Sequence, residues 1–219
     1  MNLVQQGYSR DKRILQEIED RGAMLTEQVA MSMFRGTEAL KKCQQRLKKL
    51  ADKKRVKRSK IDASYVYYVD KKSGRLEHLI GTNWVYIWLK AKLSKWESWW
   101  YWQYEMVYPN LRCDGFAGIK NTFTNEIKFY FVELDRSNNI WDKTVKYNDL
   151  YESGGYEGSF WVPHAKSFPA VLCVTESQSR KDLIEKSIRE ENKNNLNFKV
   201  MLLEDVIREV YVKWKQQYR

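Results

Sequence analysis

The chain has 219 residues, 39 Lys and Arg against 28 Asp and Glu, a net charge of +11, and 43% hydrophobic residues with only three prolines. That is enough chain to bury a core of its own in one ample domain or two small ones, and it excludes a disulfide miniprotein and a disordered polyampholyte. The surplus of positive charge makes a polyanion, nucleic acid first, the expected partner. Cys43, Cys113 and Cys173 are an odd, widely spaced set without CxxC or a histidine cluster. Neither a disulfide framework nor a zinc site is indicated, which agrees with a reducing cytoplasm. No apolar run reaches the roughly 20 residues a bilayer requires, and the start MNLVQQGYSRDKR has charge where a signal peptide has its apolar stretch. The expectation is a soluble, cytoplasmic protein with no membrane partner.

Charge is concentrated at the N-terminus, where residues 1–60 hold 16 Lys and Arg against 7 Asp and Glu. A composition change near residue 80 then divides a Lys-rich part from a Trp- and Tyr-rich remainder, giving two expected domains, 1–80 and 81–219. In the first, Ile14, Leu15 and Ile18 share one face of a short charged helix that Gly22 ends. A second helix begins at Thr26, read as its N-cap, with Val29, Ala30 and Met33 inward. Arg35, Gly36 and Thr37 form a tight turn that offers Thr37 as a fresh cap. In the third helix Leu40, Cys43, Leu47 and Leu50 recur at spacings of 3, 4 and 3, while Glu38, Lys41, Lys42, Gln45, Lys48 and Lys49 take the other side.

The basic stretch KKRVKRSK, the alternating run Tyr65, Val66, Tyr67, Tyr68, Val69, and a turn at Lys71, Lys72, Ser73 and Gly74 read as a two-stranded hairpin. Three short helices followed by a basic hairpin make the pattern of a winged helix-turn-helix. Its recognition helix would offer Thr37, Lys41, Lys42, Gln44, Gln45 and Lys48 to double-stranded DNA, since Gln can pair with adenine and Lys with guanine or phosphate. Lys53, Lys54, Arg55, Lys57, Arg58 and Lys60, with Lys71 and Lys72, extend the basic surface into the wing.

The remainder reads as an α/β domain, making the chain α+β overall. TNWVYIWLKAKL is a helix, SWWYWQYEMVY a strand, and LRCDGFAGI and NEIKFYFVELD two further strands around a polar turn at 120–125. DKTVKYNDLYES is a helix, AVLCVTES a buried strand, SRKDLIEKSIREEN a helix entered through Ser179, and NFKVMLLEDV a strand leading to a final helix. Six of nine tryptophans fall within nineteen residues, from Trp84 to Trp102. Trp100, Trp102 and Tyr104 alternate as an inward face does, so packing is favoured over base stacking.

Asp114 next to one strand, and Glu133 and Asp135 ending the next, could converge on one Mg²⁺, with Glu105 as a fourth ligand. Lys146 would then orient water or stabilise the transition state of phosphodiester cleavage. The competing reading is a structural network of these acids with Arg112, Arg136, Lys143 and Lys146. Neither His78 nor His164 stands at a motif spacing from a Ser or Cys nucleophile, and Walker and GxGxxG patterns are absent.

The order of LTEQVA, KKCQQRLKKLADKKRVKR, LRCDGF, FYFVELDRS, DKTVKYNDLY and AVLCVTESQSR resembles the replication-relaxation family of Gram-positive mobile elements. The motifs carrying the likeness are Asp114-Gly115, Glu133 with Asp135 and Arg136, Lys143 with Tyr147, and Thr175 followed by Arg180. The resemblance implies a plasmid or conjugative-element protein that assists DNA replication and relaxation near an origin, as a homodimer or beside a relaxase or replication protein. It also implies a C-terminal core similar to restriction endonucleases, with Asp114 as the first acid and Glu133 as the Glu of a Glu-x-Lys pair. Asp135 stands at the lysine position, a departure that favours a non-enzymatic DNA-binding protein, with a Mg²⁺-dependent nuclease and a transcriptional regulator as the alternatives.

Overall fold

The structure, a computed structural model, describes residues 3–61, 63–136 and 139–216. These form a mixed α/β protein of seven α-helices and ten strands, and none of the described helices is long and apolar enough to cross a membrane. Contacts divide the chain into two units, residues 1–87 with 210–219, and residues 88–209.

The first unit runs α1 (Leu3–Asp20), β1 (Met24–Leu25), α2 (Thr26–Met33), α3 (Ala39–Asp52), β2 (Lys57–Ile61) and β3 (Ser64–Tyr68), followed by α4 (Leu76–Lys92). Gly22 at φ +70° makes the turn out of α1, a backbone state glycine adopts without a Cβ penalty. The two residues of β1 pair antiparallel with β3, and β3 with β2, giving the order β1-β3-β2.

Thr26 is the first residue of α2 and not its cap: Gln28 Oε1 accepts from the Leu25 N–H at 3.0 Å instead. Likewise α3 is preceded by Glu38 rather than capped by Thr37. The buried side of α2 is Val29, Ala30 and Met31, with Met33 only half-buried. In α3 it is Ala39, Cys43, Leu47 and Leu50, so Ala39 takes the place expected of Leu40. The 39-43-47-50 spacing is a straighter i, i+4 stripe than one starting at residue 40, and the small Ala lets the first turn approach the core. The hairpin turn lies between β2 and β3, so Lys71, Lys72, Ser73 and Gly74 form the connection into α4 and not the turn of the hairpin.

Buried polar side chains tie these elements together. Gln28 Nε2 donates to the Ile80 carbonyl at 2.8 Å, and Asn83 Nδ2 to the Ala23 carbonyl at 2.6 Å. Arg46, on α3, forms a two-pronged ion pair with Asp11 of α1. Each bond satisfies a group whose burial would otherwise cost about 1–3 kcal/mol; the first two tie α4 to the α1–β1 turn and α2, and the Arg46–Asp11 pair fixes the rotation of α3 against α1.

The second unit contains β4 (Glu97–Tyr104), β5 (Val107–Tyr108), β6 (Leu111–Arg112), β7 (Gly115–Asn121), β8 (Ile127–Asp135), α5 (Lys143–Glu152), β9 (Ala170–Thr175), α6 (Gln178–Glu191) and β10 (Phe198–Leu202), with α7 (Leu203–Gln216) after it. Five strands make a sheet in the order β10-β9-β8-β7-β4. The β4-β7-β8 part is antiparallel, and β8-β9-β10 is parallel, as connections through α5 and α6 permit. Ser177, not Ser179, caps α6 by accepting from the Arg180 N–H.

One face of the sheet carries Phe116, Phe129, Phe131, Val171 and Cys173, buried with Tyr147, Trp161 and Ile184. At about 1.5–3 kcal/mol per large side chain this aromatic layer is the main stabilising element of the unit. The expected Trp100-Trp102-Tyr104 face does not form, because a bulge interrupts the β4–β7 register between Trp99 and Tyr101. Trp100 lies over Gly118 and edge-on to Phe129, whereas Trp102 lies over Gly115 on the opposite face. An extra residue in one strand reverses the alternation beyond it.

Candidate nucleic-acid interface and acidic cluster

Because Cys43, Leu47 and Leu50 face inward and Arg46 is held by Asp11, the opposite side of α3 is left to solvent. Lys41, Lys42, Gln44, Gln45 and Lys48 are all exposed there, and Thr37 is exposed in the turn before it. Residues 41, 45 and 48 follow the i, i+4, i+7 spacing of one helical stripe. Lys41 has a solvent-exposed partner in Glu38 at 3.5 Å, a pair that water screens.

Past Asp52 the positive surface resumes. Lys53, Lys54, Arg55, Lys57, Arg58 and Lys60 are exposed, while Val56 between them is buried and anchors the segment. Lys54 turns the chain at φ +56°. Lys57 Nζ donates to the Asp70 carbonyl at 2.6 Å, drawing the connection that carries exposed Lys71 and Lys72 toward β2. Arg58 lies over the Tyr65 ring at 5.1 Å across the hairpin, which keeps its guanidinium extended along the strand pair.

In the second unit the sequence-predicted acids occupy neighbouring strand ends but serve separate partners. Asp114 Oδ2 accepts from the Leu134 N–H at 2.8 Å. Glu133 is 2% exposed; Lys143 Nζ lies 3.0 Å from its Oε1 and 2.9 Å from its Oε2, and Tyr147 donates to Oε1 at 2.7 Å. Asp135 forms a two-pronged pair with Arg180 of α6, and Arg136 pairs with Glu176 at 2.6 Å. Lys143 and Tyr147 reach one carboxylate because residues four apart share a face of α5.

Burial raises the Glu133 carboxyl to about 7, with Asp114 adding to the rise and Lys143 and Tyr147 opposing it. Burial likewise pushes the Tyr147 hydroxyl and the Cys113 and Cys173 thiols upward. Lys146, the lysine assigned a catalytic part, pairs with Asp142 at 2.6 Å on the exposed side of α5. Glu105, the suggested fourth ligand, is exposed, with Arg112 at 4.0 Å. Among the described residues no three His, Cys, Asp or Glu side chains converge as a metal-holding group. Both oxygens of Glu133 already receive donors and Asp135 is held by a guanidinium, so these residues, as arranged, do not fit a Mg²⁺ ion.

The lysine at Glu133 is thus Lys143, and sequence reasoning paired Asp135 with no specific cation although Arg180 had been singled out. The signal was present in the spacings Lys143-x-x-x-Tyr147 and Thr175 to Arg180, each of which places a donor at a strand end. What no spacing displayed is that these short motifs each bring their own partner to β8.

The first unit defines a basic helical module with an antiparallel hairpin, and the second a mixed sheet with a buried ion-paired cluster. No protein-family profile, curated protein or solved structure matches the chain.

Proposed function

We propose that the protein binds double-stranded DNA through a winged helix-turn-helix in its first unit, with α3 in the major groove and the β2–β3 hairpin as the wing. The observation that carries this reading is the set of exposed cations, Lys41, Lys42 and Lys48 on one helix face and Lys53, Lys54, Arg55, Lys57, Arg58 and Lys60 in the segment and strand that follow it. Two features support it further. The order α1-β1-α2-α3-β2-β3, with β1 added to β3, is the layout a winged helix uses. Gln44 and Gln45 stand among the lysines, giving the face groups that can read base edges as well as phosphates.

The order of motifs that resembles the replication-relaxation family makes an origin of a mobile element the first target to examine. In that setting the protein acts as an accessory factor, and its α/β unit is the part that meets a relaxase, a replication protein or a second protomer. The Glu133 network is a framework that holds β8 to α5 and not a hydrolytic centre, because both oxygens of this buried carboxylate already face the Lys143 ammonium.

Fluorescence anisotropy of a labelled duplex tests the reading. Neutralising about five phosphates gives a slope of log K against log salt of roughly −4 to −5. The double variant Lys41→Ala, Lys48→Ala should weaken binding and lower the slope by about 2. A flat salt response, or a variant as tight as the wild type, overturns it.

A further inference from the structure

We propose that the corner of the second unit formed by Trp96 and the β7–β8 turn is a stacking platform for an unpaired DNA strand. This inference does not rest on duplex binding by the first unit.

The turn is built, not loose. Asn121 Oδ1 accepts from the N–H groups of Phe123 and Thr124 at 2.9 and 3.0 Å. Thr122 donates to the Trp96 carbonyl through its N–H at 2.7 Å and through its hydroxyl at 3.0 Å. Asn125 reverses the chain at φ +60°. Six residues are therefore held in place, and what they present to solvent is a phenylalanine 82% exposed beside a tryptophan 54% exposed, ring centres 6.4 Å apart.

One cation is seated on this pair of rings, and two more stand on the strands that lead into the turn. Lys95 lies 4.7 Å from the centre of the Trp96 ring, Lys120 is directly across from Ser98 on the β4–β7 pair, and Lys128 is across from Ile119 on the β7–β8 pair. The nearby acids are both engaged: Glu126 pairs with Lys166, and Glu97 accepts from the Ser94 N–H at 2.9 Å. Lys128 further holds the Glu97 carboxyl below its usual range, after the Ser94 backbone bond.

The small size of the patch selects its occupant. A protein partner needs about 800 Å² on each side, far more than two rings supply, and membrane anchoring needs a longer apolar face. A nucleobase needs one ring to stack on and a cation for its phosphate, which is what this corner offers. Duplex DNA has no free base faces, so the unpaired strand is the fitting form.

The test is anisotropy of a labelled 12-nucleotide oligothymidylate and of a duplex of equal length, with wild type, Phe123→Ala, Trp96→Ala/Phe123→Ala and Lys41→Ala/Lys48→Ala. Far-UV circular dichroism verifies the fold, and Phe123→Ala, at a solvent-exposed position, keeps the test valid if the double variant is unstable. Removing the aromatics should weaken oligothymidylate binding at least about fivefold and leave duplex affinity unchanged. The lysine variant should do the reverse. The proposal is overturned if Phe123→Ala binds oligothymidylate like wild type, or if the α3 lysines alone control both probes. It is also overturned if the aromatic variants lose only flotation with phosphatidylcholine–phosphatidylglycerol vesicles.

Discussion

Replacing Glu133 with Gln removes a buried charge while keeping the side chain's shape, and the consequence is pH-dependent. The carboxyl titrates near 7 in the folded protein, above its ordinary value of 4.5, with burial as the leading cause. The folded state therefore holds this proton more tightly than the unfolded chain does. The stabilisation associated with it is complete below about pH 4.5 and is lost as pH rises through about 7. A difference of about 2.5 pH units corresponds to about 3 kcal/mol. Gln has no such term, so the stability of Glu133→Gln relative to wild type should improve by about 3 kcal/mol between pH 4 and pH 9. Urea unfolding at four or five pH values measures this difference, and a carbon-13 titration of the glutamate carboxyls reads the midpoint directly. Lys143→Met, which removes the opposing charge at 2.9 Å, should move that midpoint above 7. Parallel stability curves for wild type and Glu133→Gln, or a Glu133 midpoint in the ordinary carboxylate range, would refute the reasoning.

Gly118→Ala should destabilise the second unit by about 1–3 kcal/mol in thermal or urea unfolding. Its Cβ would stand 2.7 Å from the Trp100 ring and 3.2 Å from Phe129, and the layer beneath has little room to yield. Arg46→Ala should cost about 2 kcal/mol and loosen α3, read as faster amide exchange in that helix, since it strands Asp11 at 7% exposure. All three thiols are buried, so a thiol reagent at pH 8 should modify Cys43, Cys113 and Cys173 only after denaturant is added. Supercoiled plasmid incubated with the protein and Mg²⁺ or Mn²⁺ should be retarded and then recovered intact after protease; nicking lost in Glu133→Gln would restore the nuclease alternative.

Local periodicity made most elements readable. The helix carrying Cys43, Leu47 and Leu50, the β8 and β9 runs, and the helix at Lys143 each bury one face or both, so spacing announces them. Errors arose where a neighbouring side chain or a strand pairing took the place of the expected local feature. Thr26 and Thr37 look like caps, but Gln28 reaches back to Leu25 and the turn places Glu38 ahead of α3. The pairing of β1 with β3 rests on two residues, Met24 and Leu25, too few to show alternation. The β4 bulge was equally silent: only the contact of Trp100 with Gly118, a residue far along the chain, reveals which indoles share a face.

The acidic cluster illustrates why residue type alone underdetermines chemistry. Asp114, Glu133 and Asp135 lie on adjacent strands, as a two-acid metal site requires, yet each carboxylate is answered by a donor of the fold. The Glu133 carboxylate receives the Tyr147 hydroxyl on one oxygen and the Lys143 ammonium on both, and an ion would have to compete with that ammonium in a site 2% exposed. By contrast Lys42, Lys48 and Lys60 on α3 and β2 face water, and the proposed phosphate partner would draw on such exposed cations through the release of counterions. The charge asymmetry of the chain therefore supports the proposed role of the first unit, and the donors around Glu133 support an architectural part for the second.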